Sequence, residues 1–553
     1  MSLCSSVRSK STAQVYGRAR RLGPAFLSFV LVAGAAFDNG GYNASTWGWL
    51  TLVPLVLVGL ALVLNRATRP DRLAVGFLGL LGAFTAWTWV SIAWSDDISG
   101  SVLEGERLLA YVAAAAAFIV LGRGQPARLV GGLLGAITLV CGWALFLRAF
   151  GGSGSYDVAS VSTDATRRLA APVGYSNGLG VFAAIGILLA VGLALRLRRA
   201  LLAAPVLVLG PTLYFTYSRG AWLALGAGAV GGLALAVPRL PRRVVVALAA
   251  TVAALLVLTL VRVGGPAGAI HEFSRAGPAV KVDKNRRLFS LSGSSRAQYW
   301  HVAWTEVEHH PWLGSGAGSF QRNWLRLRPA ELPVLDAHNL YLETLSEVGP
   351  IGLALLAALL VLPAVAAVIA RRQLLATPAF AGYVAYLVHA AQDWDWELPA
   401  VTLAALCCAA TLLLVAEREP RPALGPRARA AALVAALVLA LLALGALAGN
   451  AALGAASAAL DADNPARAAR DSRWAKGLVL WSADPWRLHG EALLSEGNVD
   501  GARQDFKTAL RKDPSDWDSW VDLSLVTSGT ERTEAGERAA QLNPLERIPK
   551  SGG

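Results

Sequence analysis

Apolar runs long enough to cross a bilayer recur through the first 450 residues, separated by short polar connectors. A transmembrane helix needs about 20 mostly apolar residues to cross a hydrocarbon core of roughly 30 Å. Runs at 46–64, 73–95, 129–148, 172–194 and 340–370 come close to that length or exceed it. Runs at 24–37, 108–122, 201–216, 220–237, 244–263, 376–392, 398–416 and 430–448 bring the count to about 13 spans. The pattern predicts an all-α polytopic membrane protein. The runs at 24–37 and 108–122 are short and are expected to extend into their flanks. The run at 340–370 is long, and its first turns are expected to project from the bilayer.

The pattern changes after residue 449. Residues 483–516 fit one 34-residue tetratricopeptide unit, with Trp486, Gly490, Ala502, Phe506, Ala509 and Pro514 at the expected offsets. Trp520 and Leu523 start a second, truncated unit, and Ala468 and Ala475 mark a degenerate first one. The expected organisation is therefore a basic N-terminus (1–23), a transmembrane domain (24–448) and a soluble helical tail (449–553). Such tails usually bind partners, so a protein partner is expected there.

Composition supports this division. Of the 553 residues 55% are hydrophobic and 16% charged, against about 25% charged in soluble proteins. The net charge of +13 does not point to nucleic acid, because the arginines sit in short clusters between apolar runs. Basic clusters at the N-terminus, Arg66/Arg69/Arg72, Arg123/Arg128, Arg196/Arg198/Arg199, Arg239/Arg242/Arg243, Arg371/Arg372 and Arg418/Arg421/Arg427/Arg429 occupy alternate connectors. The others are acidic or mixed, as at Asp96–Asp97 and 392–397. The positive-inside rule then puts the N-terminus in the cytoplasm and, with an odd number of spans, the tail outside a cytoplasmic (inner) membrane. The first run lacks a clean cleavage site leading to a soluble domain and reads as an uncleaved helix. Cys4 lies in the basic N-terminus and Cys141, Cys407 and Cys408 lie in apolar runs, so none suggests a disulfide framework or a metal site.

Polar residues collect at the outer ends of the spans and leave their middles almost uncharged, which favours chemistry at the outer surface. Ser218-Arg219-Gly220 lies in a short turn between two spans. A guanidinium there suits a phosphate or snorkels at a helix end. The outer loop at 264–337 holds Arg296 before a short amphipathic helix, then a glycine-rich stretch at 314–318. His338-Asn339 begins the next helix; an imidazole there is well suited to take a proton near neutral pH, or serves as a structural or capping residue. His389 and Asp393 are spaced i,i+4, as a supporting hydrogen-bonded pair or as an interfacial cap.

The order S-R-G-A-W, R-x-x-x-W, P-W-L-G-x-G-x-G-S-F and H-N-x-Y-L-E-x-L-x-E-x-G-x-I-G resembles the O-antigen ligase and polymerase superfamily, membrane glycosyltransferases of the GT-C type. Trp94-Ser95-Asp96, Arg107, and Arg168 with Tyr175-Ser176-Asn177 fit as well, and the resemblance covers roughly 25–420. It implies a polyprenyl (undecaprenyl) diphosphate-linked glycan as donor and a glycan, lipid or protein as acceptor. By the same resemblance Arg219 and Arg296 hold the diphosphate and His338 activates the acceptor. Asn339, His389, Asp393, Arg168 and Asn177 support them. With no evident outer carboxylate cluster, metal-independent transfer without a cofactor is expected, and the resemblance implies inversion at the anomeric carbon. The competing expectations are a lipid-linked glycan transporter, which would need charged or broken mid-membrane segments, and a non-catalytic scaffold.

Overall fold

The computed structural model describes residues 23–64, 67–150, 168–237, 243, 295–332, 334–417 and 422–546. The run predicted at 244–263 and the loop residues 264–294 lie outside the described residues, as do several residues of the basic clusters. The chain forms α1 (Gly23–Phe37), α2 (Ala44–Val63), α3 (Arg72–Val90), α4 (Ile98–Gly122), α5 (Pro126–Phe150), α6 (Ser176–Leu197), α7 (Val206–Thr216) and α8 (Arg219–Ala236). Two short helices, α9 (Arg296–His309) and α10 (Phe320–Leu327), precede α11 (Leu340–Ile369), α12 (Ala376–Ala390), α13 (Pro399–Ala416) and α14 (Pro426–Asp461). The tail consists of α15 (Pro465–Leu478), α16 (Asp484–Ser495), α17 (Val499–Lys512), α18 (Trp517–Leu525) and α19 (Gly529–Leu542). Among the described residues there is no strand, only an isolated bridge between Thr68 and Ala423.

The protein is an all-α, multi-pass membrane protein. Nine helices among the described residues are long and apolar enough to cross a bilayer, and α1 and α7 are shorter apolar helices. Burial sorts the spans. The most apolar window of α13 is 94% buried, whereas that of α14 is 6% buried. An all-round apolar helix in the first position is a core helix, and in the second a lipid-facing one. α13 packs on α4, α5, α11 and α12. Small side chains let those backbones approach, and Cys407 and Cys408 are two of them, both fully buried free thiols.

Three helices differ from the runs that predicted them. α4 begins ten residues before the run at 108, so Glu104, Glu106 and Arg107 ride on its first turns. α11 is broken at Gly349 (φ 68°, ψ −173°), which separates its first nine residues from the apolar remainder. α14 runs 36 residues to Asp461 instead of stopping near 448, because alanines carry the helix on until Asn464 caps α15. At 1.5 Å per residue α14 spans about 54 Å, longer than the apolar core, and it hands the chain directly to the tail.

The connectors gather at two ends. At one, Arg123 pairs with Glu417 and donates to the Arg69 carbonyl, while Arg196 donates to the carbonyls of Arg372 and Gln373. This is the basic end. At the other, Asp96 meets Ser315, Arg168 meets Thr216, and Gly40 lies against Val173 and Leu398. The tail docks at this second end. Arg322 bridges Asp97 and Asp513, Ser99 donates to Ser482, and Arg328 donates to Asn543.

Candidate active site

The hub is a carboxylate. Asp393, 1% exposed, sits in the turn between α12 and α13. Its Oδ1 accepts from the Tyr175 hydroxyl at 2.6 Å, and its Oδ2 accepts from Asn177 Nδ2 at 2.7 Å and Arg296 Nη2 at 2.9 Å. The Arg296 Nε also donates to the Gln392 carbonyl. Arg168 Nη2 donates to Asn177 Oδ1 at 2.6 Å, and Arg168 Nε to the Thr216 carbonyl at 2.9 Å. The starts of α6 and α9 and the end of α7 are thus tied to one side chain. Burial pushes the Asp393 pKa up, but Arg296, then His338 and His389, and the Tyr175 hydroxyl overcome it and hold the group at about 2. Burial pulls the Arg296 pKa down, yet Asp393 keeps it raised and the guanidinium charged.

Of the two readings of His389 and Asp393, the i,i+4 hydrogen-bonded pair does not form. α12 ends at Ala390, so the helical register that would stack Asp393 on His389 is lost. The turn brings Asp395 to the His389 Nδ1 instead. The ligand atoms of His389, Asp393 and Asp395 still lie within 4.8 Å of one another, a set able to hold a metal ion. The fully buried His389 also touches the start of α8. A Cβ on Gly220 would stand 3.0 Å from His389 Nε2. Glycine at this position lets the first turn of α8 lie over the imidazole. Ser218 caps that helix through Ala221 N, and Arg219, half-buried, opens it at the edge of the cluster.

His338 faces the same cluster from the loop before α11. Its backbone is left-handed (φ 56°), uncommon for a residue with a Cβ. Its ring packs against Tyr299, one turn along α9 from Arg296, with centroids 5.1 Å apart and the planes tilted by 47°. The Nδ1 lies 2.9 Å from the Asp336 carbonyl. A carbonyl only accepts, so this contact assigns the proton to Nδ1 and leaves Nε2 with its lone pair. Burial lowers the His338 pKa to about 4, with Arg296 adding to the effect and Asp393 opposing it. The imidazole is therefore neutral at pH 7. The next residue, Asn339, serves as a helix cap, its Oδ1 accepting from Tyr341 N and Leu342 N.

Carboxylates far apart in sequence also meet here. Asp336, Glu343 and Glu397 bring oxygens within 4.8 Å of one another, a second set able to hold a cation, where the sequence pattern suggested no such cluster. Arg107, 3% exposed, pairs with Glu397 and Glu104. Burial raises the Asp336 pKa to about 7, with Arg107 opposing and Glu104 adding to the shift. Below lies an apolar cavity of about 110 Å³ walled by α3, α4, α11, α12 and α13. The glycine-rich stretch turns through positive φ at Gly314, Gly316 and Gly318. It holds a buried carboxyl group: Gly318 N and Phe320 N donate to the Glu347 side chain at 2.9 and 3.0 Å.

Residues 204–357 match the family model described as O-antigen ligase. That segment, 154 of the 553 residues, is similar to the O-antigen ligase family. None of the curated proteins compared with the chain matches it. That similarity supports a membrane glycan-assembly role of the O-antigen ligase and polymerase kind. Arg219, Arg296, His338 and Asn339 fall inside the matched O-antigen ligase segment, whereas Arg168, Asn177, His389 and Asp393 come from outside it. Arg168, Asn177, Arg296 and Asp393 form one hydrogen-bonded chain, with His389 against Asp393 and His338 within reach of its charge. Gly220, the neighbour of Arg219, lies against His389, and Asn339 turns to the backbone. Sequence reasoning missed Asp395, Asp336, Glu343 and Glu397 as members of the site. The string Asp393-Trp394-Asp395-Trp396-Glu397 was a usable signal for two of them, since charges beside buried tryptophans need partners.

Proposed function

We propose that this protein transfers a glycan from a polyprenyl diphosphate to an acceptor hydroxyl at the outer face of the cytoplasmic membrane, in surface polysaccharide assembly. Arg219 and Arg296 hold the diphosphate. His338 Nε2 removes the acceptor proton as the hydroxyl oxygen attacks the anomeric carbon. The bond from that carbon to the diphosphate oxygen breaks, and polyprenyl diphosphate leaves with the electron pair and inversion at the carbon. Guanidinium groups held in place stabilise the charge that develops on the leaving oxygen. The observation that carries this reading is the pairing of an imidazole whose Nδ1 is committed to a carbonyl with a guanidinium fixed on Asp393 in the same cluster. The basic connectors at the far end support an extracytoplasmic site and tail.

The acceptor distinguishes a ligase, a polymerase and a protein-glycosylating enzyme, and polymerase or ligase action is our first reading. The positive charge comes from arginines, so we expect transfer to continue in EDTA. Its loss there would give the carboxylate sets a metal-binding role. The test is complementation of a deletion strain. Arg219→Ala, Arg296→Ala and His338→Ala should each abolish surface glycan, leave the protein in the membrane and accumulate lipid-linked precursor outside. Precursor held at the cytoplasmic face would favour a transporter, and full complementation by His338→Ala a scaffold.

A further inference from the structure

A second cavity opens between the membrane domain and the tail. Its volume is about 450 Å³, within the range of pockets that bury a small ligand. Tyr42, Trp47 and Trp517 give it aromatic faces. Ten carboxylates and two arginines line it. Both arginines are already engaged, Arg107 with Glu104 and Glu397, and Arg322 with Asp97 and Asp513. Arg107 nevertheless keeps a buried Nε with no hydrogen-bond partner among the described residues. The floor comes from Asp336, Glu343 and Glu397, and the far wall from Asp516, Trp517 and Asp518 of the tail.

We propose that this cavity binds the acceptor saccharide and selects neutral or amine-bearing sugars over acidic ones. The inference rests on the transferase reading above and names its acceptor class. Aromatic faces and carboxylates match the two sides of a sugar, apolar C–H faces and hydroxyl donors. A uronate or phosphate entering here would meet ten carboxyl groups against a single unpartnered N–H, that of Arg107, a balance that disfavours it. Position supports the role as well. Asp336 lines the cavity, and its carbonyl holds the His338 ring. Asp336 thus links the cavity wall on one side to His338 and the Arg296–Asp393 cluster on the other. A diphosphate is favoured on the second side only, so donor and acceptor are sorted by charge. The tail contributes a wall of the site, beyond any role in docking partners.

The test is calorimetric binding to the full-length protein in nanodiscs, in EDTA, with three probes: tetramers of glucosamine, N-acetylglucosamine and galacturonic acid. The amine and neutral tetramers should bind at least about tenfold tighter than the uronate, a gap of about 1.4 kcal/mol. Trp517→Ala should weaken the neutral tetramer about tenfold. Asp518→Lys, a surface charge change that leaves the wall standing, should narrow the gap between neutral and acidic probes. Uronate binding equal to the neutral probe, uronate binding that appears only with added Ca²⁺, no binding by any tetramer, or an unchanged gap in Asp518→Lys each overturns the proposal. Arg296→Ala separates the two levels of the argument. If it accumulates precursor but the selectivity is absent, the acceptor proposal falls and the transferase reading stands. If the selectivity holds but Arg296→Ala accumulates nothing, the transferase reading falls.

Discussion

In the proposed transfer His338 takes the acceptor proton, and its local state is unusual. Its backbone is left-handed, its Nδ1 is committed to a carbonyl, and burial holds its pKa near 4. The base form thus dominates across the physiological range, but it is a weak base until substrate arrives. A bound diphosphate places negative charge nearby, which favours the imidazolium and raises that pKa. The profile of kcat/KM, which reports the free enzyme, should fall on the acid side only as pH drops through about 4. The profile of kcat, which reports the complex, should break at a higher pH. Identical breaks near pH 6.5, the ordinary value for His, would remove the assigned role of burial. His338 and Arg296 stood out in the sequence because each opens a polar motif at the start of a helix. The partner of His389 was not legible, since choosing Asp395 over Asp393 depends on where α12 stops. The Asp336, Glu343 and Glu397 set was invisible for a different reason: only the approach of three separate segments creates it.

At the level of elements, helix starts do the positioning. α6 delivers Tyr175 and Asn177, α9 delivers Arg296, and α8 delivers Arg219, all from first turns or caps. Gly220 sets how closely α8 approaches His389. Gly220→Val forces bulk into that 3.0 Å approach, and such overpacking costs about 1–3 kcal/mol. The expected result is a protein present in the membrane at near-normal level with transfer lowered at least about tenfold, read by quantifying surface glycan against protein. Normal glycan would show that the approach does not matter. The apolar runs disclosed most spans because the bilayer fixes both their length and their character. They disclosed ends poorly, because the ends are set by tertiary partners. α4 gains ten residues once Glu106 and Arg107 find Asn450 and Glu397, and α14 continues into the tail on alanines that are neither clearly lipid-facing nor clearly soluble.

At the level of the whole molecule, one end is basic and the other holds the site and the docked tail. Arg322 is the main tie, donating to Asp97 on the membrane domain and Asp513 in the tail. Removing one partner of a mostly buried ion-pair network costs about 3 kcal/mol. Arg322→Ala should therefore loosen the tail, seen as faster hydrogen exchange across 482–546 with the spans unchanged. Unchanged exchange would mean that the Ser99–Ser482 and Arg328–Asn543 contacts suffice. The division into spans and tail was readable from composition, but the docking of the tail over the site was not, because its contacts join residues hundreds of positions apart. The most direct test of the transferase reading is a single-turnover assay with purified protein and a polyprenyl diphosphate-linked glycan, following released polyprenyl diphosphate. The wild type should release one molecule per glycan transferred. His338→Ala should bind donor as tightly yet release it about 10²–10⁴-fold more slowly, the usual contribution of a positioned base. Release by His338→Ala at the wild-type rate would contradict the account.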